Sequence, residues 1–178
     1  HLKVLKQFLA DTSVEHALIL EDDVALLDAS EGIANVASWL GHINGGVVKL
    51  YSKRRVLGKQ VGQLSSTIIV NPWRIPLGFQ AQLWNRIAAR EFVNKCVGFY
   101  QPIDVEFQFS WRYDFAVYVV DQNMARELSA QVGGSTISPS KGKLGWAKLK
   151  LEVNRPWFRF KLLLKSIMYV ITVRRNSR

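Results

Sequence analysis

The residues most able to do chemistry are Glu21, Asp22 and Asp23. They follow the short apolar run Ala17-Leu18-Ile19-Leu20 and precede Val24. Three adjacent carboxylates repel one another at close range. The repulsion turns to advantage when a divalent cation, or a sugar-nucleotide carrying one, sits among them. Hard oxygen donors suit Mg²⁺ or Mn²⁺. The run before them reads as a buried strand, parallel to its neighbours because polar alternation is absent. Ligands of open α/β sheets bind beyond the carboxyl ends of strands, where these acids fall. In strand-like backbone Glu21 and Asp23 point to one side and Asp22 to the other, so one side can face a metal and the other a donor hydroxyl. The plainer reading of the same tripeptide is a solvated acidic turn leading into a helix.

A second signal is Gln101-Pro102-Ile103-Asp104-Val105-Glu106. A carboxylate held by a Pro-led loop can act as a general base, with Asp104 first and Glu106 next. The alternative is an Asp that caps the following helix. A third is Trp84-Asn85-Arg86, expected to open a helix, with a simple aromatic anchor as the alternative. The run Lys53-Arg54-Arg55 follows a strand and can add positive charge near a diphosphate, or form a solvated loop.

The elements around these residues alternate in type. Residues 2–9 place Leu2, Leu5, Phe8 and Leu9 on one helical face. Asp28 or Ser30 can cap a helix carrying Ile33, Val36, Ala37 and Leu40. Gly45-Gly46 breaks that helix, and Val47–Tyr51 reads as a strand. So do Gln63–Val70, Phe79–Leu83 and Phe115–Val120, with loops at Asn71-Pro72, Ile75-Pro76 and Gly98–Pro102. Trp84–Lys95 reads as a helix with Ile87, Ala88 and Phe92 inward. The alternation gives an α/β class, a sheet covered by helices.

Composition separates a neutral body from a basic tail. Hydrophobic residues make up 48% of 178, with six Trp, nine Phe and five Tyr, which argues against disorder. The net charge is +10, yet residues 1–140 hold 13 Lys/Arg against 13 Asp/Glu. Residues 141–178 hold 11 Lys/Arg and one acid, Glu152. A neutral core without a base-reading motif argues against nucleic acid. A basic, apolar tail points to an anionic membrane surface. Within it, residues 156–173 are too often interrupted by Arg159, Lys161 and Lys165 to cross a membrane. They have the composition of an interfacial helix. The expected organisation is a domain over 1–132, a Gly/Ser/Lys-rich flexible linker over 133–145, and the tail over 146–178. A lone Cys96, a small buried side chain, fits a reducing cytosol.

Taken in order, His1-Leu2-Lys3, Leu18–Val24 (LILEDDV), Gly78–Ala89 (GFQAQLWNRIAA) and Pro102-Ile103-Asp104 resemble glycosyltransferase family 25. These are lipopolysaccharide and lipooligosaccharide galactosyltransferases, with collagen galactosyltransferases as distant relatives. The resemblance covers roughly residues 1–125. It implies a GT-A-like (Rossmann-like) mixed sheet flanked by helices, incomplete at the N-terminus, followed here by the basic amphipathic C-terminal helix. It implies a UDP-sugar donor, usually UDP-galactose, a divalent metal (Mn²⁺ or Mg²⁺) and inversion at the anomeric carbon. By the resemblance, Asp23 is the direct metal ligand and Glu21 a second or water-mediated partner. Asp22 contacts ribose or hexose hydroxyls, and Asp104 is an acceptor contact or base. Glu21, Asp22, Lys53, Arg54, Arg55, Asn85 and Arg86 are the expected donor-binding set, with Asp104 and Glu106 catalytic. Family members begin with a strand and an Arg-rich turn ahead of the segment matched by His1-Leu2, so the donor base pocket is expected to be incomplete. The expected setting is cytoplasmic, peripheral on the inner face of the membrane, with a lipid-linked saccharide acceptor. The competing class is a catalytically inactive membrane-surface or assembly protein derived from the same family.

Overall fold

The computed structural model describes residues 1–96, 102–128, 160–165 and 167–168. In chain order these form α1 (Leu2–Ala10), β1 (His16–Leu20), β2 (Val24–Leu26), α2 (Ser30–Gly41), β3 (Gly46–Lys49), β4 (Gly58–Leu64), β5 (Thr67–Pro72), β6 (Ala81–Asn85), α3 (Arg86–Lys95), α4 (Ile103–Phe107), a 3₁₀ turn (Ser110–Arg112), β7 (Ala116–Val120) and β8 (Ala125–Glu127). Six strands make one mixed sheet in the order β1-β6-β3-β7-β5-β4, and β2 pairs with β8 in a separate ribbon. The architecture is mixed α/β.

Period-two alternation divides the core. Along β3, Val47 enters one apolar layer and Val48 the other; along β6, Trp84 enters the first and Leu83 the second. The first layer holds α1, α3 and α4 through Leu5, Phe8, Ala88, Phe92 and Phe107. The second holds α2 through Val36 and Leu40. Much of the aromatic content lies in the first layer, where Trp84 meets Phe92 and Phe107 at 5.4 Å and Phe107 meets Phe79 at 5.1 Å. This cluster fixes α4, and Gln108 Nε2 ties the helix's end to the Ile75 carbonyl at 2.6 Å.

Several sequence expectations are corrected. β1 is antiparallel to β6 and stands at the end of the sheet order. Only Ile19 is buried, while Leu18 and Leu20 remain 38% exposed on the other face. A run without polar alternation is therefore an edge strand here. The expected strand over 63–70 is two strands, β4 and β5, turning at Ser65-Ser66, with Ser65 in the left-handed region. A Ser-Ser pair is a weak turn signal beside Asn-Gly or Asp-Gly. β5 also runs through Asn71 and Pro72, where a loop was expected. Neither Asp28 nor Ser30 caps α2; Ala29 occupies that position without a side-chain bond. Trp84 belongs to β6, α3 starts at Arg86, and Ile87 is exposed rather than inward. Residues 97–101, 129–159, 166 and 169–178, including the expected linker and much of the tail, lie outside the described residues.

Candidate active site

Pairing register places the acids. Leu20 of β1 sits opposite Ala81, the first residue of β6, and Lys49 ends β3 opposite Gln82. Glu21 therefore leaves the sheet beside the loop that enters β6, and its N–H donates to Gln80 O at 2.8 Å. Asp22 and Asp23 form a turn into β2. Asp22 is exposed; Glu21 and Asp23 are half-buried.

Asp104 joins Glu21 at this end. Its Oδ2 accepts from Gly78 N–H at 3.2 Å and its Oδ1 from Val105 N–H at 2.9 Å. Burial pushes the Glu21 carboxyl above the usual carboxylate range, and the charges of Asp23, Asp104 and Asp22 push it the same way, with Lys49 opposing. Asp23 and Asp104 weigh more on Glu21 than its chain neighbour Asp22 does. His1 Nε2 lies 3.6 Å from Glu21 Oε1, its ring packed edge-on against Phe79.

A second group of charges lies on the Asp23 side. Val24 of β2 pairs with Glu127 of β8, and Leu128 N–H donates to Asp23 O at 2.7 Å. Lys53 Nζ is 2.8 Å from Glu127 Oε2, and Tyr51 OH donates to the same carboxylate oxygen at 3.4 Å. The Asp23 charge acts on both Lys53 and Tyr51. Lys53 is thus the member of the basic run that reaches the acids. Arg54 and Arg55 are exposed, the Arg54 carbonyl accepting from Ser52 Oγ at 2.8 Å.

Three expected site residues are elsewhere. Asn85 lies at the far end of β6 from Ala81, about 13 Å along the strand. Its side chain caps α3 at Ala88 N–H (3.0 Å), takes Gly46 N–H (3.1 Å) and donates to Ile43 O (2.9 Å), which satisfies a buried amide locally. Arg86 spends its guanidinium on the carbonyls of Phe8, Leu9, Asp11 and Val14, closing the end of α1 and the turn after it. Glu106 is buried and accepts from Arg112 Nη1 and Tyr113 OH, each at 2.9 Å. Burial and that carboxylate push the Tyr113 phenol well above its usual range. These contacts of Asn85, Arg86 and Glu106 thus lie within the fold, away from the Glu21–Asp104 end of the sheet or turned from it.

Sequence reasoning missed Lys49, Gln80 and Glu127. Lys49 had a signal, a single Lys inside an apolar strand. Gln80 lay within the block carrying the resemblance but was given no role. Glu127 had none, because a three-residue strand leaves too little periodicity to read.

Among the described residues no three His, Cys, Asp or Glu side chains converge closely enough to hold a cation by themselves. The donor set still fits Mg²⁺ or Mn²⁺. Mg²⁺ commonly takes only one or two carboxylates, the remaining positions going to water and substrate phosphates, and Glu21 and Asp23 are two half-buried carboxylates at the same strand end. Compared with known proteins, the chain matches no family model and no curated sequence.

Proposed function

We propose that this chain is part of a GT-A-type, metal-dependent, inverting glycosyltransferase of the family 25 kind, which moves a hexose, galactose by resemblance, from a UDP-sugar to a saccharide acceptor of lipopolysaccharide or lipooligosaccharide. The observation carrying the reading is that Glu21 and Asp104, from distant parts of the chain, lie within electrostatic reach of each other at one end of the sheet, with Asp23 beside them. A sugar-transfer site needs that pairing: carboxylates for the diphosphate's cation, and a separate carboxylate for the acceptor.

In this reading Asp23 and Glu21 would hold Mn²⁺ or Mg²⁺, and that ion, when bound, would supply Lewis-acid charge against the diphosphate leaving group. The exposed Asp22 contacts donor hydroxyls. Lys53, on the Asp23 side, adds positive charge toward the diphosphate, and Glu127 holds it in place. Asp104 takes the proton of the acceptor hydroxyl. The new bond to the anomeric carbon forms as the bond to the diphosphate oxygen breaks on the opposite face, and UDP leaves. Two of the Asp104 lone pairs are engaged by backbone N–H groups. A carboxylate offers about four acceptor sites, so capacity remains for the hydroxyl.

No helix among the described residues is long and apolar enough to cross a membrane. The described part of the tail is helical over 160–165 and 167–168. There Leu162 is buried and Lys165 Nζ lies 5.8 Å from the Trp111 ring centre. Phe160, Leu164 and Met168, one turn apart, are 50%, 46% and 66% exposed. This supports a helix docked by one side and apolar on another, and with it a peripheral position on the inner membrane face, where a lipid-linked acceptor is presented.

Calorimetric titration of UDP with and without Mn²⁺ tests the assignment, together with transfer from radiolabelled UDP-galactose to truncated lipooligosaccharide. Mn²⁺-dependent UDP binding that disappears in Asp23→Ala supports the reading. UDP binding indifferent to both Mn²⁺ and Asp23 removes it.

A further inference from the structure

Lys49 is 1% exposed. A buried ammonium is costly unless each of its donors is used. Here Nζ donates to Pro76 O and Gly78 O, both at 2.6 Å, with Leu77 O at 3.5 Å. It therefore gathers the carbonyls of three successive residues, a turn that requires the positive φ of Gly78 (+89°). A Cβ on Gly78 would stand 2.1 Å from Gln80 Oε1.

The peptide between Leu77 and Gly78 has a cation at one end and an anion at the other. Its carbonyl faces Lys49 Nζ, and its N–H donates to Asp104 Oδ2 at 3.2 Å. Carbonyl and N–H of a trans peptide point in opposite directions, so the Leu77 carbonyl turned toward Lys49 at 3.5 Å leaves the Gly78 N–H turned toward Asp104, while the 2.6 Å bonds to Pro76 O and Gly78 O hold the peptides on either side. Hydrogen bonds polarise one another along such a chain. Beyond this turn, Gln80 O accepts from Glu21 N–H, so one short loop contacts the Glu21 backbone and the Asp104 carboxylate. On the sheet, Lys49 is flanked by Gln82 of β6 and Val119 of β7. Gln82 gives its Oε1 to Trp84 Nε1 at 3.0 Å. The carboxylates of Asp104 and Glu21 are the charges acting on Lys49.

We propose that Lys49 is a positioning residue for the acceptor-activating carboxylate: its ammonium clamps the 76–78 turn, and the turn's Gly78 N–H sets the orientation of Asp104. The proposal rests on the glycosyltransferase reading for what Asp104 does, but the Lys49–turn–Asp104 linkage can be measured without it. Being 1% exposed, Lys49 acts through the loop.

The test uses the full chain as wild type, Lys49→Met, Lys49→Arg and Asp104→Ala. Amide exchange at Gly78, followed by NMR, reports the linkage directly. Exchange in Asp104→Ala and in Lys49→Met should be about tenfold faster than in wild type, as loss of a charge-assisted bond implies. Transfer kcat in Lys49→Met should fall about 100-fold, the scale of an ångström-sized misplacement of a reacting group. Mn²⁺-dependent UDP affinity should fall far less than kcat, and Lys49→Arg should recover part of the loss. Wild-type kcat in a folded Lys49→Met overturns the proposal, as does UDP affinity falling in step with kcat. If Lys49→Met does not fold, wild type, Asp104→Ala and Lys49→Arg decide. Gly78 exchange as fast in wild type as in Asp104→Ala refutes the clamp; slow exchange in wild type and Lys49→Arg, released in Asp104→Ala, supports it. A wild type that binds no UDP and transfers no sugar sinks the glycosyltransferase reading instead, while Gly78 exchange still reports on the clamp.

Discussion

Glu21 and Asp104 are held by one short loop: the Glu21 N–H donates to Gln80 O at 2.8 Å, and Asp104 Oδ2 accepts from Gly78 N–H at 3.2 Å. The loop therefore holds the Glu21 backbone and the Asp104 carboxylate at the same end of the sheet. If Asp104 is the base, Asp104→Asn should lower transfer kcat by about 10²–10⁴-fold, the usual worth of a positioned general base. The amide has one accepting oxygen for the two N–H donors of Gly78 and Val105, so a stability loss of about one hydrogen bond, roughly 1 kcal/mol, is expected, while UDP affinity should hold. Transfer undiminished in Asp104→Asn would reassign the base.

Asp23 should behave differently. Its backbone carbonyl, rather than its carboxylate, makes the contact to Leu128 N–H. Asp23→Ala is therefore expected to leave folding intact, as circular dichroism would check. Mn²⁺-stimulated transfer should disappear, and added Mn²⁺ should not restore it. Metal-stimulated activity at the wild-type level in this variant contradicts the ligand role.

Glu106 should register in stability rather than chemistry. Its carboxylate is buried with Arg112 and Tyr113 on it. Glu106→Ala takes a hydrogen-bond acceptor from the buried Tyr113 hydroxyl, while Arg112, 55% exposed, turns to water, at a cost of roughly 1–3 kcal/mol, the scale for a buried polar group that loses its partner. Urea unfolding should show that loss. A variant as stable as wild type, but without transfer activity, would return Glu106 to the site.

The difference between Glu106 and Asp104 shows what the sequence could and could not reveal. Both are acids two positions apart behind the same proline, and residue type gives no reason to choose between them. The choice is made by α4, which turns Asp104 toward Gly78 and Glu106 toward Tyr113. The acid triplet was legible because an apolar strand ending in three carboxylates stands out locally. The faces of α1 and most of α2 were legible from helical periodicity, although the α2 cap was not. For Asn85 and Arg86 the sequence could not choose, because a polar pair at a helix start looks the same whether it binds a ligand or caps the helix. Only the antiparallel register of β6 puts them at the opposite end of the sheet. Lys49 became interpretable once its distance to the 76–78 carbonyls was known.

Lys49 also predicts a pH dependence. Burial pushes its ammonium from 10.5 down to about 8, against the carboxylates of Asp104 and Glu21, which favour the charged form. With the folded value below the unfolded one, protonation favours the unfolded chain, and that penalty is fully present below about pH 8. It is relieved between about pH 8 and 10.5, where the unfolded chain holds a proton that the folded chain has released. Cys96 and Tyr113, whose values are raised in the folded state, act in the opposite sense at high pH. The comparison is therefore wild type against Lys49→Met. Across this window wild type should gain about 3 kcal/mol relative to the variant, as 2.5 pH steps at the standard conversion give. A difference that stays flat from pH 8 to 10.5 would show that Lys49 does not titrate there.

The tail prediction follows from which side of its helix is engaged. Leu162 faces inward and Lys165 lies over Trp111, so the helix docks through one side. Phe160, Leu164 and Met168 form an exposed apolar line, and Lys161 and Lys165 lie next to that line in sequence. An apolar stripe bordered by lysines suits the headgroup region of an anionic bilayer. Arg174, Arg175 and Arg178 add attraction of roughly 1 kcal/mol each if they come near the surface. Deleting residues 146–178 should release the chain from vesicles containing anionic lipid while leaving Mn²⁺-dependent UDP binding in place. Because the deletion also uncovers Trp111, a second variant is needed that keeps the dock: Phe160→Ser with Leu164→Ser removes the stripe and spares Leu162 and Lys165. That variant should lose vesicle binding as the deletion does, and raised salt should weaken wild-type binding through the screened arginines and lysines. Co-sedimentation of both variants with anionic vesicles at physiological salt would rule out the tail as the membrane contact.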